Sequence, residues 1–105
     1  MSIEIIGPAQ IEAMLDAEEA AYDTGLPGAA QTLAAFQAAR RKPRLVTVNF
    51  SGGITQRCWA VCRGDGTYRV VYLPRAGYFA LCVESDFGPL DIGVHGPAIA
   101  CFGSV

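Results

Sequence analysis

One histidine and four cysteines are the residues of this 105-residue chain best suited to nucleophilic or acid–base chemistry. Any histidine-dependent mechanism must use His95, and Asp91 precedes it in the same segment and could orient the imidazole. Cys82 or Cys101 would then be the nucleophile. No recognised spacing joins these residues, however, and co-occurrence alone does not make a catalytic site. Buried thiols that act as small hydrophobic groups are the simpler explanation of the cysteines.

Two of the cysteines, Cys58 and Cys62, are expected to lie on one strand. At ~3.3 Å per residue, their Cα atoms would be about 13 Å apart. A disulfide requires Cα atoms within about 7 Å, and a zinc knuckle requires a tight turn between its ligands. The sequence therefore predicts no disulfide between them and no metal site. No cofactor is expected either, because the glycine-bearing turns close hairpins and do not lead into helices.

A further group of distinctive side chains is expected on one face of a predicted sheet. This aromatic face combines ring systems with charges, and its candidate site residues are Arg57, Trp59, Arg63, Tyr68, Tyr72 and Glu84. Trp, Tyr and Arg are enriched at protein interfaces, and large apolar patches are seldom left in water. The leading hypothesis is therefore a non-enzymatic interaction module that self-associates as a homodimer through the aromatic face.

Two alternatives for the aromatic face stay open. In the first, it is the floor of a pocket in a small-molecule-binding protein or small enzyme, roofed by a loop over residues 85–97 that carries His95. In the second, that loop and the N-terminal segment of the same chain cover it. Whatever lies over Trp59 decides among the three hypotheses.

A basic run at positions 40–44 contains Arg40, Arg41, Lys42 and Arg44. Such a run suggests contact with phosphate or RNA, and aromatic side chains on a sheet can stack on bases. The net charge of −2 and the lack of an RNP-like hexamer argue against nucleic acid. Charges that complement the dipole at the C-terminus of a helix explain the run, so nucleic-acid binding is not expected.

The elements that must position these residues are the strands of an antiparallel meander over residues 44–84. Runs rich in Val, Tyr, Phe, Trp and Thr alternate there with glycine-bearing turns. The turn over residues 64–67 predicts a type I′ hairpin that places Trp59 opposite Tyr72. The turn over residues 74–77 predicts a three-residue hairpin loop that places Leu73 opposite Phe79.

The first hairpin allows two registers, and the hydrophobic pattern distinguishes them. A three-residue loop at positions 51–53, with Gly53 left-handed, gives one almost wholly apolar face, whereas a one-residue slip would reverse every side chain. Only Arg44, Gln56 and Arg69 interrupt this predicted core face. Its apolar members are Val46, Val48, Phe50, Ile54, Cys58, Ala60, Cys62, Val71, Leu73, Phe79, Leu81 and Val83.

Two amphipathic helices are expected before the meander, from Ala9 to about Tyr22 and from Ala29 to about Arg41. Residues 2–6 suggest an edge strand, residues 85–97 a loop with a short extended piece at 91–94, and residues 98–102 a last strand. The predicted fold is α+β, with an N-terminal helical hairpin packed on one face, the core face, of an antiparallel meander sheet of four to six strands.

Length and composition agree with one domain over residues 1–105, because 51% hydrophobic residues is too many for a disordered chain. No apolar run approaches the roughly 20 residues that a membrane span requires, so no membrane association is expected. The N-terminus lacks the basic and apolar regions of a signal peptide. The cytoplasm is therefore the expected compartment.

Overall fold

The computed structural model describes residues 6–63 and 66–105 of the chain. The helices are α1 (Pro8–Ala21), α2 (Ala29–Ala39) and α3 (Ala98–Phe102). The strands are β1 (Arg40–Asn49), β2 (Thr55–Cys62), β3 (Tyr68–Leu73), β4 (Tyr78–Ser85) and β5 (Gly88–Gly96). The predicted α+β class, with an N-terminal helical hairpin packed on an antiparallel meander, is confirmed. None of the described helices is long and apolar enough to cross a membrane.

The two N-terminal helices form where the apolar spacing predicts them. Pro8 lies in the first turn of α1, where its missing N–H sacrifices no hydrogen bond. Ile11 on α1 and Phe36 on α2 are fully buried against the sheet side of the hairpin. The second helix ends at Ala39, before the predicted Arg41, because Arg40 already pairs with Cys62 of β2 and begins β1.

The predicted registers of the first two hairpins are confirmed. Val46 lies opposite Cys58, as the three-residue loop requires, and Trp59 lies opposite Tyr72. Gly53 has a φ of 77°, a left-handed conformation that would be strained in a residue with a side chain. The tip of the second hairpin, Gly64 and Asp65, lies outside the described residues.

The predicted register of the third hairpin is wrong by one residue. Its loop contains all four residues from position 74 to 77, closed by a hydrogen bond from the Gly77 N–H to the Leu73 carbonyl. Leu73 therefore lies opposite Tyr78, and Tyr72 opposite Phe79. Because alternate residues face opposite ways, the slip moves Phe79 and Leu81 to the aromatic face and Ala80 and Cys82 to the other face.

The prediction of a loop over residues 85–97 is also wrong, because most of that segment is β5. This strand pairs antiparallel with β4 and meets β1 in parallel where Leu90 lies opposite Asn49, which closes the sheet on itself as a barrel. The Asn49 side chain reinforces the closure, since its Nδ2 donates to the carbonyl oxygens of Phe87 at 2.9 Å and Pro89 at 3.3 Å.

Closure of the sheet creates two cores and overturns the predicted position of the helices. The interior is filled by residues mostly from the predicted core face, namely Val48, Cys58, Ala60, Val71, Leu73, Ala80 and Cys82. A closed five-stranded sheet has no room inside for a helix, so the helices pack outside, on the aromatic face. There Val61, Val70, Tyr72, Phe79 and Leu81 meet Ile11, Leu15, Phe36 and Ile99.

The prediction of a last strand at residues 98–102 is wrong, since this segment is the short helix α3. Its first two free N–H groups are satisfied from α1, where the Glu18 carboxylate accepts hydrogen bonds from Ala98 at 2.8 Å and Ile99 at 3.0 Å. A local sequence pattern cannot reveal a cap supplied from a distant helix. The predicted edge strand at residues 2–6 lies outside the described residues, apart from Ile6.

Candidate functional site

The highest concentration of positive charge surrounds a depression at one end of the closed sheet. This basic mouth has a volume of about 340 Å³ and is lined by the cationic side chains of Arg41, Lys42, Arg44, Arg63 and Arg69, with Ala60 and Cys62 at its base. These are five of the eight Lys and Arg residues in a chain whose net charge is −2. The basic mouth is therefore opposite in sign to the molecule as a whole.

Strand geometry explains why the cations meet. Arg44 lies opposite Ala60 and Arg69 opposite Cys82, so both arginines share the face of the interior residues and project at the end of the sheet. The β1–β2 register shifts between Arg40 and Arg44, which brings Lys42 to the same rim.

Arg40 and Arg41 both have partners within the chain. Arg41 donates from Nη1 to the carbonyls of Ala38 and Arg40, each at 2.8 Å, so the predicted capping of the second helix is confirmed for Arg41. Arg40 turns away and lies 2.8 Å from the Asp16 carboxylate. Burial alone would lower the pKa of Arg40, but hydrogen bonds to Glu19 and Asp16 raise it.

Arg69 is the one lining cation with a carboxylate partner within hydrogen-bonding distance among the described residues. Its Nε donates to Glu84 Oε1 at 2.7 Å, and both side chains are largely buried. The predicted place of Glu84 on the aromatic face is wrong, because Tyr68 pairs with Val83 and Glu84 projects beside Arg69. Glu84 thus offsets one of the positive charges and holds the Arg69 guanidinium in place.

A second depression, the apolar pocket, adjoins the basic mouth under α3. Its volume is about 250 Å³, and its lining residues are Ala39, Cys62, Arg63, Tyr68, Arg69, Val70, Leu81, Phe102 and Val105. Val70 and Leu81 are each 1% exposed, so the floor of the apolar pocket is part of the core under the helices. Cys62, Arg63 and Arg69 line both depressions.

The two depressions share lining residues where the described backbone pairing of β2 with β3 ends. The described pairs between these strands are Trp59 with Tyr72 and Ala60 with Val71. Beyond them the Val70 N–H donates to the Cys62 sulfur at 3.3 Å in place of a backbone carbonyl. A thiol therefore accepts the Val70 N–H beside the residues that the apolar pocket and the basic mouth share.

The remaining residues of the predicted aromatic face are dispersed, and the expected exposure of that face is wrong. Tyr72 is 4% exposed and packs edge-on against Phe79 under the helices. Trp59 is half-buried against the same core, and Arg57 is exposed opposite Thr47. Since the chain's own helices cover most of this face, a second copy of the chain is not needed to shield it.

His95 lies at the opposite end of the closed sheet and forms the predicted pair with Asp91. Its Nε2 is 2.9 Å from Asp91 Oδ1, and its ring stacks on Tyr78 with the centroids 5.0 Å apart. These residues line an open depression of about 400 Å³ that also contains Arg75. Because most of the sheet separates His95 from Arg63, the predicted site residues do not form one site.

The thiols near this pair remain protonated at neutral pH. Burial raises the pKa of Cys82 to about 12 and that of Cys58 to about 11, and the Asp91 carboxylate acts in the same direction on both. Burial likewise raises the pKa of Cys101 to about 11. A thiolate nucleophile is therefore disfavoured at each position. The described residues contain no group of three or more side chains that could hold a metal ion.

Sequence reasoning named Arg63 and Tyr68, but it attributed the basic run at positions 40–44 to helix capping and so did not find the basic mouth. The available signal was that Arg44 and Arg69 interrupt the predicted core face at the same end of their strands. Their meeting with Lys42 and Arg63 required the closed sheet and the β1 irregularity, neither of which a local pattern encodes. No protein-family model matches the sequence, and neither a curated protein nor a solved structure matches it.

Proposed function

We propose that this protein binds a small anionic molecule at the basic mouth. The observation that carries the proposal is the gathering of five cationic side chains around one depression in a chain of net charge −2. Two like charges 4 Å apart repel each other by about 1 kcal/mol in bulk water and by about 4 kcal/mol at the effective dielectric constant of a protein surface. An anion bound among these side chains would relieve that repulsion.

The charges of the basic mouth are available to a ligand. Lys42, Arg44 and Arg63 are exposed, and Glu84 offsets only one charge of the group. Guanidinium groups present paired N–H donors that match the oxygens of phosphate or carboxylate, so four arginines beside a lysine suit such a ligand. This proposal keeps the small-molecule alternative for the aromatic face but moves its centre to Arg63 and the mouth beside it.

Shape favours a small molecule over a nucleic acid. The basic mouth is concave and, at about 340 Å³, lies at the lower end of the range of about 300–1,000 Å³ typical of small-molecule sites. A long polyanion would extend beyond the basic mouth onto the rest of the surface. That surface is negative overall, because the rest of the chain carries most of the acidic residues and only three of the eight basic ones.

The test is a titration of the protein with sodium pyrophosphate, in which binding is monitored by calorimetry and by amide chemical shifts. The variant Lys42→Glu/Arg44→Glu reverses two charges in the basic mouth. Its matched control, Arg57→Glu/Arg75→Glu, reverses two exposed arginines elsewhere. We expect at least about tenfold weaker binding in the first variant, a loss of about 1.4 kcal/mol, and less than about twofold in the second.

Salt and an oligonucleotide complete the test. Raising the salt from about 50 to about 300 mM should weaken the binding of pyrophosphate to the wild-type protein, because exposed charges are screened. Equal losses in the two variants would mean that only net charge matters and would contradict a site. A single-stranded oligonucleotide that bound far more tightly than pyrophosphate, through the same residues, would show that the ligand is a nucleic acid.

A further inference from the structure

We infer that the ligand of the basic mouth is a phosphate monoester whose small apolar group, such as an aryl ring, enters the apolar pocket under α3. The inference rests on the proposed function and adds the chemical class of the ligand. Two observations carry it: the apolar pocket and the basic mouth share Arg63 and Arg69, and between them the Val70 N–H bonds to the Cys62 sulfur in place of a backbone carbonyl.

The apolar pocket suits a flat hydrocarbon group. Its floor is formed by the buried side chains of Val70 and Leu81, and its walls by the half-buried rings of Tyr68 and Phe102. Aromatic walls favour an aromatic guest, because rings attract each other in offset or edge-to-face arrangements. A volume of about 250 Å³ limits the guest to a small group.

The junction of the two depressions fixes where the charge of the ligand must lie. Arg63 and Arg69 border both spaces, so an anionic group between them would remain in contact with guanidinium groups while its apolar substituent points under α3. Glu84 bonds to Arg69 Nε at 2.7 Å and so restrains that side chain. A ligand without an apolar part would leave the apolar pocket unused.

Charge selects a phosphate monoester over a carboxylate. The basic mouth has five cationic side chains, and the adjoining Glu84 offsets one of them. A phosphate monoester carries a charge of about −1.5 to −2 near neutral pH and offers three acceptor oxygens, whereas a carboxylate carries one charge and two oxygens. The dianion therefore neutralises more of the basic mouth and uses more of its donors.

The experiment compares methyl phosphate with phenyl phosphate, two monoesters that differ in the apolar group. We expect the wild-type protein to bind phenyl phosphate at least about tenfold more tightly. Ala39→Phe fills the apolar pocket and should abolish this preference while leaving the affinity for methyl phosphate within about twofold. Ala38→Phe, on an exposed neighbour in α2 that does not line the pocket, is the matched control.

A second blocking variant guards against misfolding of the first. Val105 lines the apolar pocket but is 66% exposed, so Val105→Trp should fold and should also remove the preference. A third comparison, phenyl phosphate against benzoate, should favour the phosphate by at least about tenfold if charge selects the ligand.

The possible failures of the inference differ from failure of the proposed function. Equal affinity for the two monoesters, with binding still dependent on Lys42 and Arg44, would overturn the inference but leave the proposed function standing. This result is expected if another part of the chain or a second copy fills the apolar pocket. A preference that survived both blocking variants would also overturn it. If neither monoester nor pyrophosphate bound, the function itself would be wrong.

Discussion

Removal of the Glu18 carboxylate is expected to release α3 from the rest of the protein. Both carboxylate oxygens of Glu18 accept hydrogen bonds, from the N–H groups of Ala98 at 2.8 Å and Ile99 at 3.0 Å. The helix has five residues, and Pro97 before it provides no side-chain cap. A helix this short is not stable alone. The two hydrogen bonds to α1 and the burial of Ile99 therefore hold it in place.

The magnitude of the Glu18→Ala effect follows from these two bonds. A hydrogen bond to a charged group contributes about 1.5–3 kcal/mol, and loss of a helix cap typically reduces stability by about 0.5–2 kcal/mol. Glu18 is only half-buried, so water can replace part of what is lost. We expect the free energy of unfolding to fall by about 2 kcal/mol. Glu18→Gln keeps one acceptor oxygen and should lose about half as much.

Urea unfolding followed by the fluorescence of Trp59, the one tryptophan, measures these losses. Glu12→Ala on the same helix is the control, because Glu12 contacts Arg40 through its backbone carbonyl, which alanine retains. The control should change the free energy of unfolding by less than about 0.5 kcal/mol. If Glu18→Ala matched the control, the carboxylate would not be holding α3, and the reasoning would be refuted.

Two further predictions concern the buried thiols and the aromatic face. Burial raises the pKa of Cys82 from 9.0 to about 12, so the stabilisation from its protonated thiol is complete below about pH 9 and is lost as the pH rises toward 12. Urea unfolding at about pH 8 and about pH 10.5 should show this decline, and an unchanged slope in Cys82→Ala would contradict it. Cys82→Ala should make the decline smaller without abolishing it, because burial raises the pKa of Cys58 and Cys101 as well. The homodimer stays a prediction, for which light scattering is the measurement. Tyr72→Ala should destabilise the protein by about 3–5 kcal/mol, since Tyr72 is core. If the wild-type protein were a dimer and Tyr72→Ala gave a stable monomer, the interface hypothesis would be supported again.

Much of the fold is encoded locally and was predictable for that reason. The spacing of Ile11 and Leu15 indicates which side of α1 is buried, and both side chains are fully buried. Gly53 permits the left-handed loop that selects the register of the first hairpin, in which Val46 lies opposite Cys58. Turn chemistry and side-chain period act over a few residues, so a sequence displays them directly.

Positions that depend on contacts across the chain were not predictable. The four-residue loop after Leu73 shifts β4 by one residue relative to the prediction. As a result Leu81 faces the helices and Cys82 faces the interior of the closed sheet. A strand such as β5 is recognisable only when its partners are known, because its glycines and prolines resemble a loop. The candidate site shares this dependence, since Arg44 and Arg63 meet at a mouth that exists only after closure.

The sequence by itself determined the helical hairpin, the meander and the alternation of its side chains, because each follows from local propensity and period. Only the tertiary structure decided which face the helices cover. Pairing of β5 with β1 closes the sheet around Val48 and leaves the Tyr72 side as the one surface on which helices can pack. Closure is a long-range pairing, and its free energy comes from burying both faces at once, which no single segment of the chain encodes.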